Sequence, residues 1–224
     1  MVERFDPFER AIHWVNATLF AVMVGTALAL YFAPVSTLVG RRELVKTVHV
    51  YTGLLLPFPL LAGFVMRGQG RAFRADVSRL NRWLPDDRRW LRSFGRDRTA
   101  RIGKFNPGQK LNAAFTAGAI VVMLASGAVM RWFKPFPLSW RTGATFVHDT
   151  VFLVLVLAIT GHVFLAVRDA DSLRGMTSGR VPLKWARRHH PRWHDELAAE
   201  PIAVGPVPRS RSAVAADADA RRKA

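Results

Sequence analysis

The segment from Thr142 to Val167, TGATFVHDTVFLVLVLAITGHVFLAV, decides the fold of this chain. Only Asp149 carries a formal charge within it, and this residue lies near one end. A helix needs about 20 predominantly apolar residues to cross the hydrocarbon core of a bilayer, which is about 30 Å thick. We therefore predict a transmembrane helix here, with His148 and His162 inside it.

Three other segments have the same character and contain no Asp, Glu, Lys or Arg: Ala11–Gly40, Thr47–Met66 and Leu111–Met130. Each of them is long enough to span a bilayer as a helix. A soluble helical bundle would show amphipathic periodicity, which these segments lack. We predict an all-α integral membrane protein, a four-helix transmembrane bundle. Its spans are predicted at about 11–34, 44–66, 111–131 and 143–167.

Composition excludes several classes of protein. The chain contains no cysteine, which rules out a disulfide, an iron–sulfur cluster, Cys-ligated zinc or covalently attached c-type haem on it. Lys and Arg number 33 against 16 Asp and Glu, a formal net charge of +17. Such a charge is typical of nucleic-acid-binding proteins, but these are rarely half apolar, so we expect no nucleic-acid partner.

The positive charges fall mainly on one predicted side of the membrane. Most of the Lys and Arg residues lie before the first span, between the second and third spans, or after the fourth. The positive-inside rule then places both termini and the connection 67–110 in the cytoplasm. The basic surface follows from this topology.

The connection 67–110 is predicted to contain one or two amphipathic helices. Arginines alternate there with apolar residues at helical spacing. The apolar residues are Phe73, Val77, Leu80 and Leu84. Such helices suit the lipid headgroup layer, although the same stripe could dock on a partner subunit. Residues 1–199 are thus predicted to form the membrane domain. Residues 200–224 lack periodicity and are predicted to be a disordered tail.

Four of the seven histidines lie in or at the edges of the predicted spans: His13, His49, His148 and His162. The spacing between His148 and His162 corresponds to about 3.9 helical turns, which places them on one helix face roughly 21 Å apart. The predicted topology sets His49 level with His148 on the outer side. It sets His13 level with His162 on the inner side.

Two such pairs match the ligand requirement of b-type haem. A neutral imidazole from each of two facing helices gives a six-coordinate iron with no open position for oxygen chemistry. Zinc would want three or four ligands at each site. We therefore predict two haems b, and Arg10 and Arg168 as propionate partners at the inner haem. Arg41 or Arg141 could serve the outer haem.

Small residues near the histidines support this prediction only weakly: Gly25, Gly53, Gly127 and Gly161. Glycine makes room for a flat macrocycle between helices. It also marks ordinary close packing of transmembrane helices.

Five motifs in order carry a family resemblance: Glu9-Arg10 before His13-Trp14, the single His49, KFNPGQK at 104–110, the His148/His162 pair, and WARRHHPRW at 185–193. Together they resemble the gamma subunit of respiratory formate dehydrogenase, the membrane cytochrome b of that complex, in the dihaem cytochrome b561-like family. The resemblance covers roughly residues 1–195. It implies the same pairing of haem ligands and a multi-pass protein of the bacterial inner membrane.

The resemblance also implies a menaquinone or ubiquinone site on the cytoplasmic side. Residues matching the family motif there are Asn106, Gly108, Gln109 and the haem ligand His162. The side-chain amides of Asn106 and Gln109 can hydrogen-bond a quinone carbonyl. The residues alone favour another interpretation, in which the segment is a turn and helix start with Asn106 as N-cap.

The activity that the resemblance implies is electron transfer within a quinone-reducing formate dehydrogenase. An iron–sulfur (beta) subunit would deliver electrons from a molybdenum or tungsten catalytic (alpha) subunit. This chain itself would hold no substrate-oxidising site. Two alternatives stay open: the cytochrome b of another quinone-linked complex, such as a hydrogenase or thiosulfate reductase, and a haem-free membrane anchor.

The last motif contains His189 and His190, and His194 follows it. These histidines could chelate a metal, but the plainer interpretation is a solvated basic segment packed on a partner. The resemblance supports a structural role.

Overall fold

The computed structural model describes residues 1–97 and 99–199. In this part of the chain the elements are β1 Val2–Glu3, α1 Pro7–Tyr31, α2 Ala33–Val39, α3 Arg42–Leu55, α4 Phe58–Val65, α5 Arg71–Asn81, α6 Pro85–Arg92, α7 Pro107–Arg131, α8 Leu138–Arg168, α9 Ala170–Ser178, β2 Arg180–Val181, α10 Leu183–His189 and α11 Pro191–Ala199. Met1–His194 form one compact unit. Of the second unit, Asp195–Ala224, the structure describes only residues 195–199, which end α11. The tail predicted to be disordered, residues 200–224, lies outside the described residues.

Four helical segments are long and apolar enough to cross a membrane: Pro7–Tyr31, Arg42–Val65, Pro107–Arg131 and Leu138–Arg168. Their surfaces exclude a water-soluble bundle. Along the whole of α8 only Leu155 is buried, while Leu157 and Leu165 are exposed. A soluble helix would bury a continuous apolar stripe. The prediction of an all-α, four-helix transmembrane bundle is confirmed, and the protein is a multi-pass membrane protein.

The first span is shifted toward the N-terminus relative to the predicted 11–34. Asp6 caps α1: its carboxylate accepts a hydrogen bond from the Glu9 N–H at 2.7 Å, and the Asp6 N–H donates to the Glu9 carboxylate at 2.9 Å. The helix ends at Tyr31 because Pro34 cannot donate to the Leu30 carbonyl group. That carbonyl instead accepts from the guanidinium of Arg42 at 3.0 Å.

The second span is broken in its middle. Pro57 has no N–H to donate to the carbonyl group of Gly53, one turn earlier. The N–H of Leu56 donates to that carbonyl instead, at 3.2 Å. Helix α3 therefore ends at Leu55, and α4 resumes at Phe58.

The connection between the second and third spans contains two helices, α5 and α6, as the sequence predicts. Arg74 of α5 caps the end of α4, because its guanidinium donates to the carbonyl groups of Gly63, Met66 and Arg67 at 3.1, 3.2 and 2.6 Å. A Cβ at Gly70 would lie 2.1 Å from the Gly63 carbonyl oxygen, so the junction requires glycine. Whether α5 and α6 lie on lipid or on a partner stays a prediction.

Two buried ion pairs fasten this connection to α7 and the loop before it. Asp76 of α5 pairs with Lys104, and Asp87 of α6 pairs with Lys110 of α7 at 2.6 Å. The two lysines are the first and last residues of the 104–110 motif. All four side chains are at least nine-tenths buried. Neither ion pair was predicted from the sequence.

One end of the bundle, called here the terminal end, is closed by a small cap of segments from distant parts of the chain. Strands β1 and β2 pair antiparallel, with Val2 opposite Val181. The guanidinium of Arg4 donates to the carbonyl group of Lys104 at 3.2 Å. The other end, formed by α2 and the connection between α7 and α8, is called the far end.

His190 is the centre of this cap. It is 2% exposed, its Nδ1 lies 2.6 Å from the carbonyl oxygen of Gly103, and its ring packs against Trp185 and Trp193. Burial and the nearby charge of Arg4 lower the pKa of His190 to about 3. The interpretation of this segment as solvated is therefore wrong for His190, whereas the structural role implied by the resemblance fits its burial.

Candidate functional site

The four histidines of the spans meet in two pairs. At the far end, His49 of α3 and His148 of α8 have ring centres 6.4 Å apart and ring planes at 65°. Toward the terminal end, His13 of α1 and His162 of α8 have ring centres 6.2 Å apart and planes at 60°. We call these the far pair and the terminal pair. They are the pairs that the sequence predicts.

The spacing of each pair fits one metal ion between two imidazoles. A metal bonded to an imidazole nitrogen lies about 2 Å from it and roughly 3 Å from the ring centre, so two ligands on opposite sides place their ring centres about 6 Å apart. The observed 6.4 and 6.2 Å agree with this value. Rings stacked face to face would lie closer, whereas tilted rings in edge contact also reach this spacing. The donor set therefore fits bis-His haem iron.

Each histidine of the far pair contacts a hydroxyl from another helix. The hydroxyl oxygen of Thr26, on α1, lies 2.8 Å from Nδ1 of His49. The same hydroxyl lies 2.8 Å from the carbonyl oxygen of Val22, one turn earlier on α1, to which it donates.

The second ligand of the far pair repeats this arrangement. The hydroxyl oxygen of Ser126, on α7, lies 3.0 Å from Nδ1 of His148 and donates to the carbonyl oxygen of Val122 at 2.7 Å. Neither hydroxyl residue was predicted from the sequence. The available signal was a polar side chain within an apolar span, which is a functional candidate in a membrane.

Of the four glycines noted in the sequence, Gly127 has the closest contact with a ligand. A Cβ there would lie 3.3 Å from Cε1 of His148, tighter than ordinary van der Waals contact. Gly53 lies against Met23 at 3.4 Å, whereas a Cβ on Gly25 or Gly161 would meet nothing within 4 Å. Only Gly127 thus explains how a neighbouring helix approaches a ligand ring.

The 104–110 motif forms the start of α7. The carboxamide oxygen of Asn106 accepts from the Gln109 N–H, and that of Gln109 accepts from the Asn106 N–H, both at 2.9 Å. This is the N-cap arrangement that the residues alone favour. A Cβ on Gly108 would lie 3.2 Å from Oδ1 of Asn106 and 3.6 Å from the Trp90 ring. The amide nitrogens of Asn106 and Gln109 donate no hydrogen bond within the described residues.

The helix register relates this motif to the terminal pair. Helices α7 and α8 pack against each other and run in opposite directions, and Ser126 meets His148. The same number of residues separates Ser126 from Asn112 on α7 as separates His148 from His162 on α8, so Asn112 lies level with His162. Gln109 is then about one turn, roughly 4.5 Å, further along the helix axis. The motif and the terminal pair therefore lie at the same end of the bundle.

The arginines predicted as propionate partners lie at the span ends. Arg10 donates to the carbonyl group of Thr177 at 2.6 Å, and its buried Nε has no partner within the described residues. The guanidinium of Arg168 lies over the Phe164 ring at 5.0 Å. At the far end, Arg141 lies over Phe133, also at 5.0 Å, and Arg41 precedes α3 as its N-cap. Their binding of propionates stays a prediction.

Comparison with known proteins gives a family match and several relatives. A family model described as prokaryotic cytochrome b561 matches residues 4–179. The cytochrome b556(Fdn) subunit of nitrate-inducible formate dehydrogenase from Escherichia coli (strain K12) is 25% identical over 88% of this chain and 92% of its own length. The cytochrome b556(fdo) subunit from the same strain is 26% identical over 88% and 93%. The formate dehydrogenase cytochrome b556 subunit of Haemophilus influenzae is 26% identical over 84% and 79%.

The family match covers more than three quarters of the chain and includes all four paired histidines. Cytochromes b carry haem b, the group that the spacing of the histidine pairs fits. On these grounds the chain belongs to the prokaryotic cytochrome b561 family.

Proposed function

We propose that this chain is the cytochrome b subunit of a membrane formate dehydrogenase and passes electrons through two bis-His haems b to a quinone. The observation that carries the proposal is the pair of metal-compatible histidine sites at two levels of one bundle. Three relatives are named as formate dehydrogenase cytochrome b556 subunits, which supports formate as the electron source.

The ligand arrangement favours electron transfer over oxygen chemistry. In the proposal, His49 and His148 hold the outer haem, and His13 and His162 hold the inner haem. Haem bound at both pairs would supply a one-electron carrier near each membrane surface. Two histidines would hold the haem at each site, and two strong imidazole ligands favour electron transfer over oxygen binding. The spacing of the two ligands on α8 corresponds to roughly 21 Å along the helix.

The quinone is proposed to bind at the terminal end, beside Asn106, Gly108, Gln109 and His162. The capping box uses the amide oxygens of Asn106 and Gln109 and leaves their NH₂ groups as donors toward a quinone carbonyl. The excess of Lys and Arg in the segments at this end supports a cytoplasmic location for it. Protons for quinone reduction would then come from the cytoplasm of a bacterium, across its inner membrane.

Two partner subunits complete the proposal. The chain has no cysteine, so iron–sulfur clusters must belong to another chain. A beta subunit with iron–sulfur clusters would deliver electrons at the outer side, and an alpha subunit with molybdenum or tungsten would oxidise formate. In the proposal, this chain contributes the histidine ligands of the haems, the helices that hold them in place and the quinone site.

The haem count tests the central claim. We expect two haems b per purified chain by pyridine haemochrome assay, and about one in His49→Ala and in His162→Ala. His189→Ala, outside the spans, is the matched control and should keep two. A colourless wild-type chain would replace the proposal with a haem-free membrane anchor.

The electron donor needs a separate experiment on the intact complex. Native membranes are supplied with formate, with hydrogen or with neither, and the b-haem absorbance is followed. Reduction of both haems by formate alone supports the formate dehydrogenase assignment. Reduction by hydrogen but not by formate would keep the haem sites and assign the chain to a hydrogenase.

A further inference from the structure

We propose that the hydroxyl groups of Thr26 and Ser126 fix the tautomer of the far pair. Each would hold its histidine with the ring proton on Nδ1, leaving the Nε2 lone pair available to a metal. Both are positioning residues that act through the ligands. The inference rests on the proposed bis-His ligation and deepens it, by naming what prepares two of the four ligands.

The number of protons on each hydroxyl bears on the tautomer of its histidine. A hydroxyl has a single proton, and a carbonyl oxygen can only accept. Thr26 lies at equal distance, 2.8 Å, from the Val22 carbonyl oxygen and from Nδ1 of His49. When its proton goes to the carbonyl, its lone pair must accept from an N–H of the ring. A neutral imidazole has one N–H, so Nε2 is then unprotonated.

The same count applies to Ser126. Its oxygen lies 2.7 Å from the Val122 carbonyl oxygen and 3.0 Å from Nδ1 of His148. The carbonyl group of Met123 also interacts with the His148 ring, and it too can only accept. His148 therefore has two hydrogen-bond acceptors beside its ring. Within the described residues, His49 has one such partner, the Thr26 hydroxyl.

The two histidine pairs differ in this respect. Within the described residues, neither His13 nor His162 has a hydrogen-bond partner. A ligand whose second nitrogen donates a hydrogen bond is fixed in tautomer and orientation and becomes a stronger base. Within the part of the chain that the structure describes, the far pair thus has hydroxyl partners that the terminal pair lacks.

Thr26→Val tests the inference, because it replaces the hydroxyl by a methyl group of similar size. Loss of a group that hydrogen-bonds a metal-ligating histidine typically costs about 10- to 100-fold in metal affinity, so we expect at least about tenfold weaker retention of the haem at the far pair. Its midpoint potential should become more positive, since the ligand is less basic. The haem at the terminal pair should be unchanged. Thr26→Ser should restore wild-type behaviour.

Thr18→Val is the matched control. Thr18 lies on the same helix and donates to the carbonyl group of Trp14 at 3.0 Å, but it makes no hydrogen bond to a histidine within the described part of the chain. Ser126→Ala should have a smaller effect than Thr26→Val, because the Met123 carbonyl remains. Equal haem retention and equal potentials in Thr26→Val and Thr18→Val would overturn the inference.

A second measurement separates this inference from the haem proposal. The full chain, labelled with ¹⁵N-histidine and kept in lipid, is chemically reduced, which makes low-spin haem iron diamagnetic. We expect protonated Nδ1 at His49 and His148 with haem bound and also after its removal; the haem-free chain is decisive, because a metal on Nε2 by itself requires the ring proton to be on Nδ1. Protonated Nε2 at these two positions would refute the tautomer inference. A chain that lacks haem but has Nδ1–H at both histidines would refute the haem proposal alone.

Discussion

Oγ of Ser126 on α7 lies 3.0 Å from Nδ1 of His148 on α8, although α7 itself supplies no histidine to either pair. The contact links a ligand-free helix to the far pair. It also fixes the level at which α7 passes α8, and hence the level of the Asn106–Gln109 motif near the terminal pair. One hydrogen bond thus relates the two ends of the site.

The capping motif allows its structural role to be separated from quinone binding. Asn106→Asp keeps the side-chain oxygen that caps α7, since Asp is as good an N-cap as Asn, but it removes the NH₂ donor. We expect quinone reduction to fall at least tenfold while both haems are retained. The measurement is quinol formation by the intact complex, with haem content determined in parallel.

The control for this variant is Asp6→Asn, the reverse exchange at the corresponding cap of α1. It should leave quinone reduction unchanged. If Asn106→Asp reduces quinone at the wild-type rate, the motif is only a helix start.

Gly127 gives a prediction about ring placement. A Cβ added at Gly127 would lie 3.3 Å from Cε1 of His148, so the larger, branched side chain of Gly127→Val must displace the ring. We expect loss of the haem at the far pair and retention of the other, measured as a fall from two haems to about one. Gly143→Val on α8, where a Cβ would meet nothing within 4 Å, is the control. Two haems in both variants would contradict the prediction.

The terminal cap should weaken in acid. The pKa of His190 is lowered to about 3 by burial and by Arg4; His189 adds a smaller repulsion and Asp169 opposes it. The unfolded side chain titrates near 6.5, so the unfolded state binds the extra proton between these values. The contribution of neutral His190 to the stability of the cap is complete above about pH 6.5. It falls toward pH 3 by at most about 1.4 kcal/mol per pH unit.

Hydrogen exchange of residues 100–106 and 183–190 measures this effect. Protection of these amides should fall between pH 6.5 and 4 in the wild type, after correction for intrinsic exchange rates. His190→Asn, which can still donate to the Gly103 carbonyl but does not titrate, should have a flatter pH profile. Identical profiles for both proteins would exclude His190 as the titrating group.

The buried ion pairs predict unequal costs for two neighbouring aspartates. Asp87→Asn leaves the charge of Lys110 buried without its counterion, a type of change that costs about 3–5 kcal/mol. Asp86→Asn removes only a partly exposed pair with Arg89, typically worth about 1 kcal/mol or less. The temperature at which haem absorbance is lost should fall much more for Asp87→Asn. Equal shifts would show that Lys110 finds another partner.

The sequence predicted the histidine pairs because their geometry depends on few variables. The spacing of His148 and His162 fixes one helix face, and the order of the spans determines which histidines lie level. Thr26 could not be predicted in this way. Its hydroxyl bonds to a carbonyl one turn earlier, as that of Thr18 does on the same helix, and only the packing of α3 distinguishes the two.

Other parts of the fold were missed for the same reason. Asp76 and Lys104 are far apart in the sequence, and nothing in their local sequence indicates that they meet. The end of α1 before Pro34 and the break at Pro57 follow from the missing N–H of proline. The predicted spans passed through both positions because apolar composition is insensitive to a single absent donor.

Helix α8 is continuous from Leu138 to Arg168, contains no proline, and carries one ligand of each pair. In the proposed function, the distance between the two electron carriers is therefore set by one continuous helix. The break at Pro57 lies in the second span, which supplies no ligand to the terminal pair. Under the proposal, a change of angle at that break would leave the separation of the two ligands on α8 unaltered.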